Sequence, residues 1–189
     1  MRNLFLFLAL MAISFTGFAQ TQWQVDPYHS SLNFQVQHLG ISMINGKFTD
    51  FEGTMNTQSN SLANASFNFT VQIASLNTNV DKRDEHLKSS DFFDAEKYPT
   101  MTFKSTKVTK GKKKDQYKLT GMLTIKDATK EVTFDLVYGG TASTDTEDKM
   151  GMIAKTSINR FDFNIDYDPT AAGIAKEIDI VAHLQFAKQ

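Results

Sequence analysis

Apolar and polar residues alternate with a period of two over most of the chain. Leu32, Phe34, Val36 and His38 alternate with Asn33, Gln35 and Gln37. Ala65, Phe67, Phe69, Val71 and Ile73 alternate with Ser66, Asn68, Thr70 and Gln72. Successive side chains of a strand point to opposite faces, so these runs predict half-buried β-strands. Comparable runs cover Trp23 to Asp26, Lys47 to Met55, Met101 to Val108, Tyr117 to Ile125, Val132 to Tyr138, Met150 to Ile165 and Ile178 to Phe186. Phe48 and Phe51 are out of phase, which predicts a bulge or bend between them. Turn chemistry at Asp26-Pro27, Gly40, Asn45-Gly46, Lys126 to Thr129 and Asp168-Pro169 separates the runs, and Gly139-Gly140 follows Tyr138. Thr141 to Lys149 reads as a solvated loop. No βαβ rhythm is present, so the sheet is expected to be antiparallel. Eight or nine short strands suit an all-β, eight-stranded antiparallel barrel, because closure removes exposed edges.

One stretch breaks the alternation. Asn79 to Phe103 is rich in charge up to Pro99. Asn79 or Asp81 suits a helix N-cap, and Val80, Asp84 and Leu87 fall near one helical face. Pro99 disfavours helix at Tyr98 and returns the chain to extended form. The expectation is a short helix from Asp81 to Ser89 and a Phe92-Phe93 plug, lying as a lid on the mouth of the barrel.

The first 19 residues read differently again. Arg2 supplies a positive start, Leu4 to Phe15 is apolar, and Gly17-Phe18-Ala19 resembles a cleavage site. Residues 1–19 are therefore expected to be a secretory signal peptide, with the barrel domain at 20–189. The apolar run is shorter than the roughly 20 residues of a membrane span, so none is expected. The chain has no cysteine, which excludes disulfides and a lipid-modified cysteine. Its net charge of -1 favours neither nucleic acid nor an anionic surface. The cluster Lys110 to Lys114 reads as a solvated hairpin turn.

The inward positions include Phe34, Val36, Phe67, Phe69, Phe103, Leu119, Phe134, Leu136, Phe161 and Phe163. They suit either a packed core or a ring-lined tunnel, as ligand sites are concave and mostly apolar. Four histidines, His29, His38, His86 and His183, lack the spacing of a zinc set, so no metal is expected. His29 and His38 either bond a ligand head or satisfy buried backbone. No phosphate loop or Cys/His pair is present, and no catalytic residue is assigned.

The stretches Trp23-Gln-Val-Asp-Pro-Tyr-His-Ser30, Gly46-Lys-Phe-Thr-Asp-Phe-Glu-Gly53 and Arg83-Asp-Glu-His-Leu-Lys-Ser-Ser-Asp-Phe-Phe-Asp94 resemble the YceI-like family. So do Tyr98-Pro-Thr-Met-Thr-Phe103, Gly121-Met-Leu-Thr-Ile125 and Ile158-Asn-Arg-Phe-Asp-Phe163. Asp127 and Asn164 stand where that family tends to have glycine. The resemblance implies a lipocalin-like periplasmic barrel that carries a long isoprenoid, quinone or related lipid. It implies no other cofactor and no catalysis; a stress-related role and a homodimer are left open. Arg83, Asp84, His86 and Arg160 match the family's pattern. They either lock the lid, with Asp84 or Asp162 as partner of Arg160, or contact the lipid head. The competing functions are a secreted interaction module with a filled core and, less favoured, an enzyme acting on a lipid.

Overall fold

The computed structural model describes residues 20–58 and 61–189; the expected leader, residues 1–19, lies outside them. The period-two runs form eleven described strands: β1 (Thr21–Val25), β2 (Ser31–His38), β3 (Ser42–Phe48), β4 (Phe51–Thr57), β5 (Ser66–Gln72), β6 (Leu76–Asn77), β7 (Thr100–Lys110), β8 (Gln116–Ile125), β9 (Ala128–Ser143), β10 (Asp148–Asn159) and β11 (Ile174–Lys188). All pairings are antiparallel. The ring β1-β4-β5-β7-β8-β9-β10-β11 closes through β11 on β1.

Three of its staves are broken strands. β1 and β2 lie along one edge of β11, where Val25 pairs with Phe186 and Ser31 with His183. Between them Pro27–His29 turns outward, with Asp26 accepting from the Tyr28 amide. β3 and β4 are split at Thr49 and Asp50, and both Phe48 and Phe51 are buried, as their phase requires. β5 and β6 are split by a 3-10 turn at Ile73–Ser75. The result is an eight-stave up-and-down barrel with one described α-helix, α1 (Asp81–Lys88), between β6 and β7.

Several local expectations are corrected. Asn45-Gly46 is not a turn; it lies inside β3, and the reversal is at Leu39 and Gly40, both with positive φ. The 141–149 loop is shorter, because hairpin pairing carries β9 to Ser143 and resumes at Asp148. The run from Met150 does not stay extended to Ile165. The Asn159 side chain accepts from the Phe161 amide and starts a 3-10 turn at Arg160–Phe163. At α1 neither Asn79 nor Asp81 is the cap. Val80 takes that position, without a side-chain bond. Asn164 adopts the left-handed backbone that a family glycine would, but Asp127 does not; Lys126 takes it instead. The Asn164 amide donates to Asp127 at 2.9 Å, so the two departures from the family pattern touch.

Candidate functional site

The inward faces do not fill the barrel. A cavity of about 190 Å³ remains, walled almost wholly by apolar side chains. The end remote from α1 is packed solid. Met55, Phe67 and Phe186 are essentially without solvent exposure there, and Trp23 donates from its indole to Thr57. Phe186 meets Phe67 and Phe69 edge to face at 6.2 and 6.1 Å. Leu87, Phe92 and Phe93 roof the other end.

Of the ten inward candidates, Phe34, Val36, Phe69, Phe103, Leu119, Phe134 and Phe163 line the cavity. Three do not. Phe67 and Leu136 are buried in the floor and wall, beyond the space. Phe161 leaves the inward series because the 3-10 turn rotates it; its ring lies 4.3 Å from the Arg160 guanidinium instead. Phe34 and Phe69 are only half-buried although they face inward, because one side of each ring faces the empty lumen.

Arg160 is 3% exposed, yet no carboxylate pairs with it. The expectation of Asp84 or Asp162 as partner is corrected. Nε donates to the Ala175 carbonyl (3.1 Å), Nη1 to those of Ile165 (2.7 Å) and Tyr167 (2.6 Å), and Nη2 to those of Asp168 (2.9 Å) and Ile174 (3.0 Å). All five guanidinium donors are thereby used. The 160–175 loop folds around the cation, so its own carbonyls solvate the charge. Burial pushes the guanidinium down from its ordinary value, and Asp168 and Asp166 oppose that. The stem of Arg160 lines the lumen, while its donors are spent on backbone.

Arg83 and Asp84 converge on Thr78, not on Arg160. Thr78 donates from its amide (2.9 Å) and hydroxyl to the buried Asp84 carboxylate. Arg83 donates from Nε to the Thr78 hydroxyl (2.7 Å) and from Nη2 to its carbonyl (2.9 Å). The acid sits in the first helical turn, where free amides favour negative charge. These side chains tie α1 to the end of the β5-β6 stave. His86 is exposed, bonds Asp91 at 2.9 Å, and meets the rings of Phe92 and Tyr167 edge to face at 5.0 Å each. Tyr167 and Phe92 lie 4.7 Å apart. His29 is outside the barrel on Asp26 at 2.7 Å, and His38 is half-buried at the end of β2; neither lines the lumen.

The sequence reading missed Tyr167, which latches the roof, and Thr78, which anchors it. Neither carries an alternation or spacing signal. It also read Gly46 as part of a turn, gave no role to Gly53, and counted Gly121 only as part of a strand, although all three sit in phase with inward neighbours. Among the described residues no group of three or more His, Cys, Asp or Glu gathers to hold a metal ion. No described helix is long and apolar enough to cross a membrane.

Residues 23–186 match the YceI-like domain family. Protein YceI of Escherichia coli strain CFT073 is 36% identical over 162 residues, covering 85% of this chain and 83% of the relative. The crystal structure of the Campylobacter jejuni YCEI protein is 30% identical with a TM-score of 0.73, covering 81% of this chain and 90% of that one. A polyisoprenoid binding domain from Saccharophagus degradans, implicated in plant cell wall breakdown, has the same fold at 13% identity. Its TM-score is 0.67, over 92% of this chain and all of that one.

Proposed function

The chain belongs to the family of YceI-like domains, and on that footing we propose that it is a carrier holding the chain of an isoprenoid, quinone or related lipid in the barrel lumen. The observation that carries this reading is the apolar lumen under the α1 roof. Burying apolar ligand surface contributes about 25 cal/mol per Å², and the lumen walls offer almost nothing polar to compete for a head group. The head then lies toward Leu87, Phe92 and Phe93, where the roof meets solvent. The polyisoprenoid binding that names the Saccharophagus degradans domain agrees with this reading.

With the roof in place the cavity of about 190 Å³ is smaller than the roughly 300–1,000 Å³ of drug-sized sites. A long chain therefore enters only as the roof or the ring lining shifts. The role is carriage without catalysis, in the periplasm or outside the cell, after removal of residues 1–19. Homodimerisation is the assembly the family resemblance leaves open, and sedimentation of the loaded protein reads it.

The test uses the full chain expressed with its leader. Native mass spectrometry of the exported protein is expected to show an apolar lipid adduct on a chain that begins at Gln20. Exported protein that never retains lipid, with or without added isoprenoid alcohols, overturns carriage. Chemical change of the bound lipid on incubation replaces carriage with catalysis.

A further inference from the structure

Three inward glycines face three phenylalanine rings of the lumen. Gly46 pairs with Phe34 across β2 and β3, and Gly53 pairs with Phe69 across β4 and β5. Gly121 lies opposite Ser105 on β7, diagonal to Phe103 on the same face. All three glycines are buried. A Cβ on Gly46 would fall 2.1 Å from Phe34 Cζ, one on Gly53 would fall 2.3 Å from Phe69 Cε1, and one on Gly121 would fall 2.5 Å from Phe103 Cζ. Each ring thus lies down on bare backbone. None of these glycines has a positive φ, so backbone conformation does not demand glycine there.

We propose that Gly46, Gly53 and Gly121 set the bore of the lumen by letting Phe34, Phe69 and Phe103 lie flat against the wall. The proposal rests on the lumen being the lipid site and names residues that decide what chain it takes. Carbon atoms pack at about 3.5–4.0 Å, so a methyl at these positions forces its ring inward by about 1.5 Å. The lumen is narrow enough that one such ring standing off the wall obstructs it. At Gly121 the methyl also meets the Lys104 carbonyl at 2.5 Å, so the cleaner probes are Gly46 and Gly53.

The test compares the full chain with Gly53→Ala, and with Gly53→Ala combined with Phe69→Leu. Xenon occupancy of the lumen in pressurised crystals reads the space itself, and geranylgeraniol binding reads chain uptake. Gly53→Ala is expected to lower xenon occupancy at least twofold and geranylgeraniol affinity at least tenfold. The double variant is expected to recover both to within about threefold, because Leu has no ring to displace. If Gly53→Ala does not fold but the double variant does, the ring conflict is still demonstrated. Wild-type xenon occupancy in Gly53→Ala overturns the proposal, as does a double variant that stays closed or fails to fold. A wild-type protein that takes xenon but no isoprenoid alcohol defeats the lipid reading while leaving the ring-on-glycine geometry to be judged by xenon alone.

Discussion

Arg160 donates from Nη1 to the carbonyl of Tyr167 at 2.6 Å, and the ring of Tyr167 lies 4.7 Å from Phe92 in the roof. A buried cation thus positions a latch without touching the helix it latches. Arg160→Ala takes the guanidinium donor from five carbonyls at once, of which that of Asp168 keeps the Ala171 amide at 3.0 Å. An unsatisfied buried polar group costs about 1–3 kcal/mol, and water recovers part of the sum at the exposed side of the loop. The expected loss is on the order of 3 kcal/mol or more in urea unfolding. Arg160→Lys is expected to fall between the two, since an ammonium has three donors against five. A variant as stable as the parent would mean that the loop holds its shape without the cation.

Tyr167→Ala tests the latch itself. Tyr167 is 44% exposed, so its removal leaves little cavity. Aromatic pairs contribute about 0.5–1.5 kcal/mol beyond burial. Lipid release is therefore expected to quicken by about fivefold to tenfold, with the melting temperature moving by only a few degrees. Stopped-flow release into acceptor vesicles measures the first, and calorimetry the second. Equal release rates would place the rate-limiting motion elsewhere in the roof.

Asp168 gives the same loop a pH dependence. Its carboxylate accepts from the amides of Ile174 (2.8 Å) and Gly173 (2.7 Å), and these hold it below the ordinary carboxylate range; the Thr170 hydroxyl adds to them. Because the folded value is the lower one, the stabilisation is complete above the unfolded carboxylate value. It fades as pH falls through the folded value. Amide exchange at Gly173 and Ile174 is expected to accelerate in that acid window, beyond the intrinsic change. In Asp168→Asn the added acceleration disappears. Asn tolerates the positive φ of this position, so the substitution leaves the turn intact.

Phe67 and Phe69 stand two residues apart on one face of β5 but answer to different demands. Phe67 is enclosed in the floor, and Phe67→Ala is expected to cost about 3–5 kcal/mol. Phe69 has one side on empty space, so Phe69→Ala is expected to cost less than half as much while changing lipid affinity more. Asn68→Asp, on the solvated face, should be nearly silent. Chemical denaturation and lipid titration of the three variants check this ranking.

The staves were legible because their pattern is local. Phe67, Phe69 and Val71 announce a face whatever they pack against, and so do Leu119, Leu123 and Ile125. The out-of-phase pair Phe48 and Phe51 announced its own break. The floor and the lumen were not distinguished, because Phe67 and Phe69 carry the same signal. Only closure of the ring, with Phe186 between them, decides which one meets empty space. Arg160 was visible as a cation needing partners, but its partners are carbonyls, which every residue has and no spacing reveals. Thr78 became an anchor only because α1 turns Arg83 and Asp84 back onto it.

The packed floor built from Trp23, Met55, Phe67 and Phe186 has one more consequence. A tube open at both ends is a pipe, through which cargo passes from one compartment face to another. A tube plugged at one end is a sheath. A flexible chain slides into a sheath by its tail and is drawn out by its head, through the same opening. On the carriage proposed above, giver and taker of that chain would then use the same α1 end.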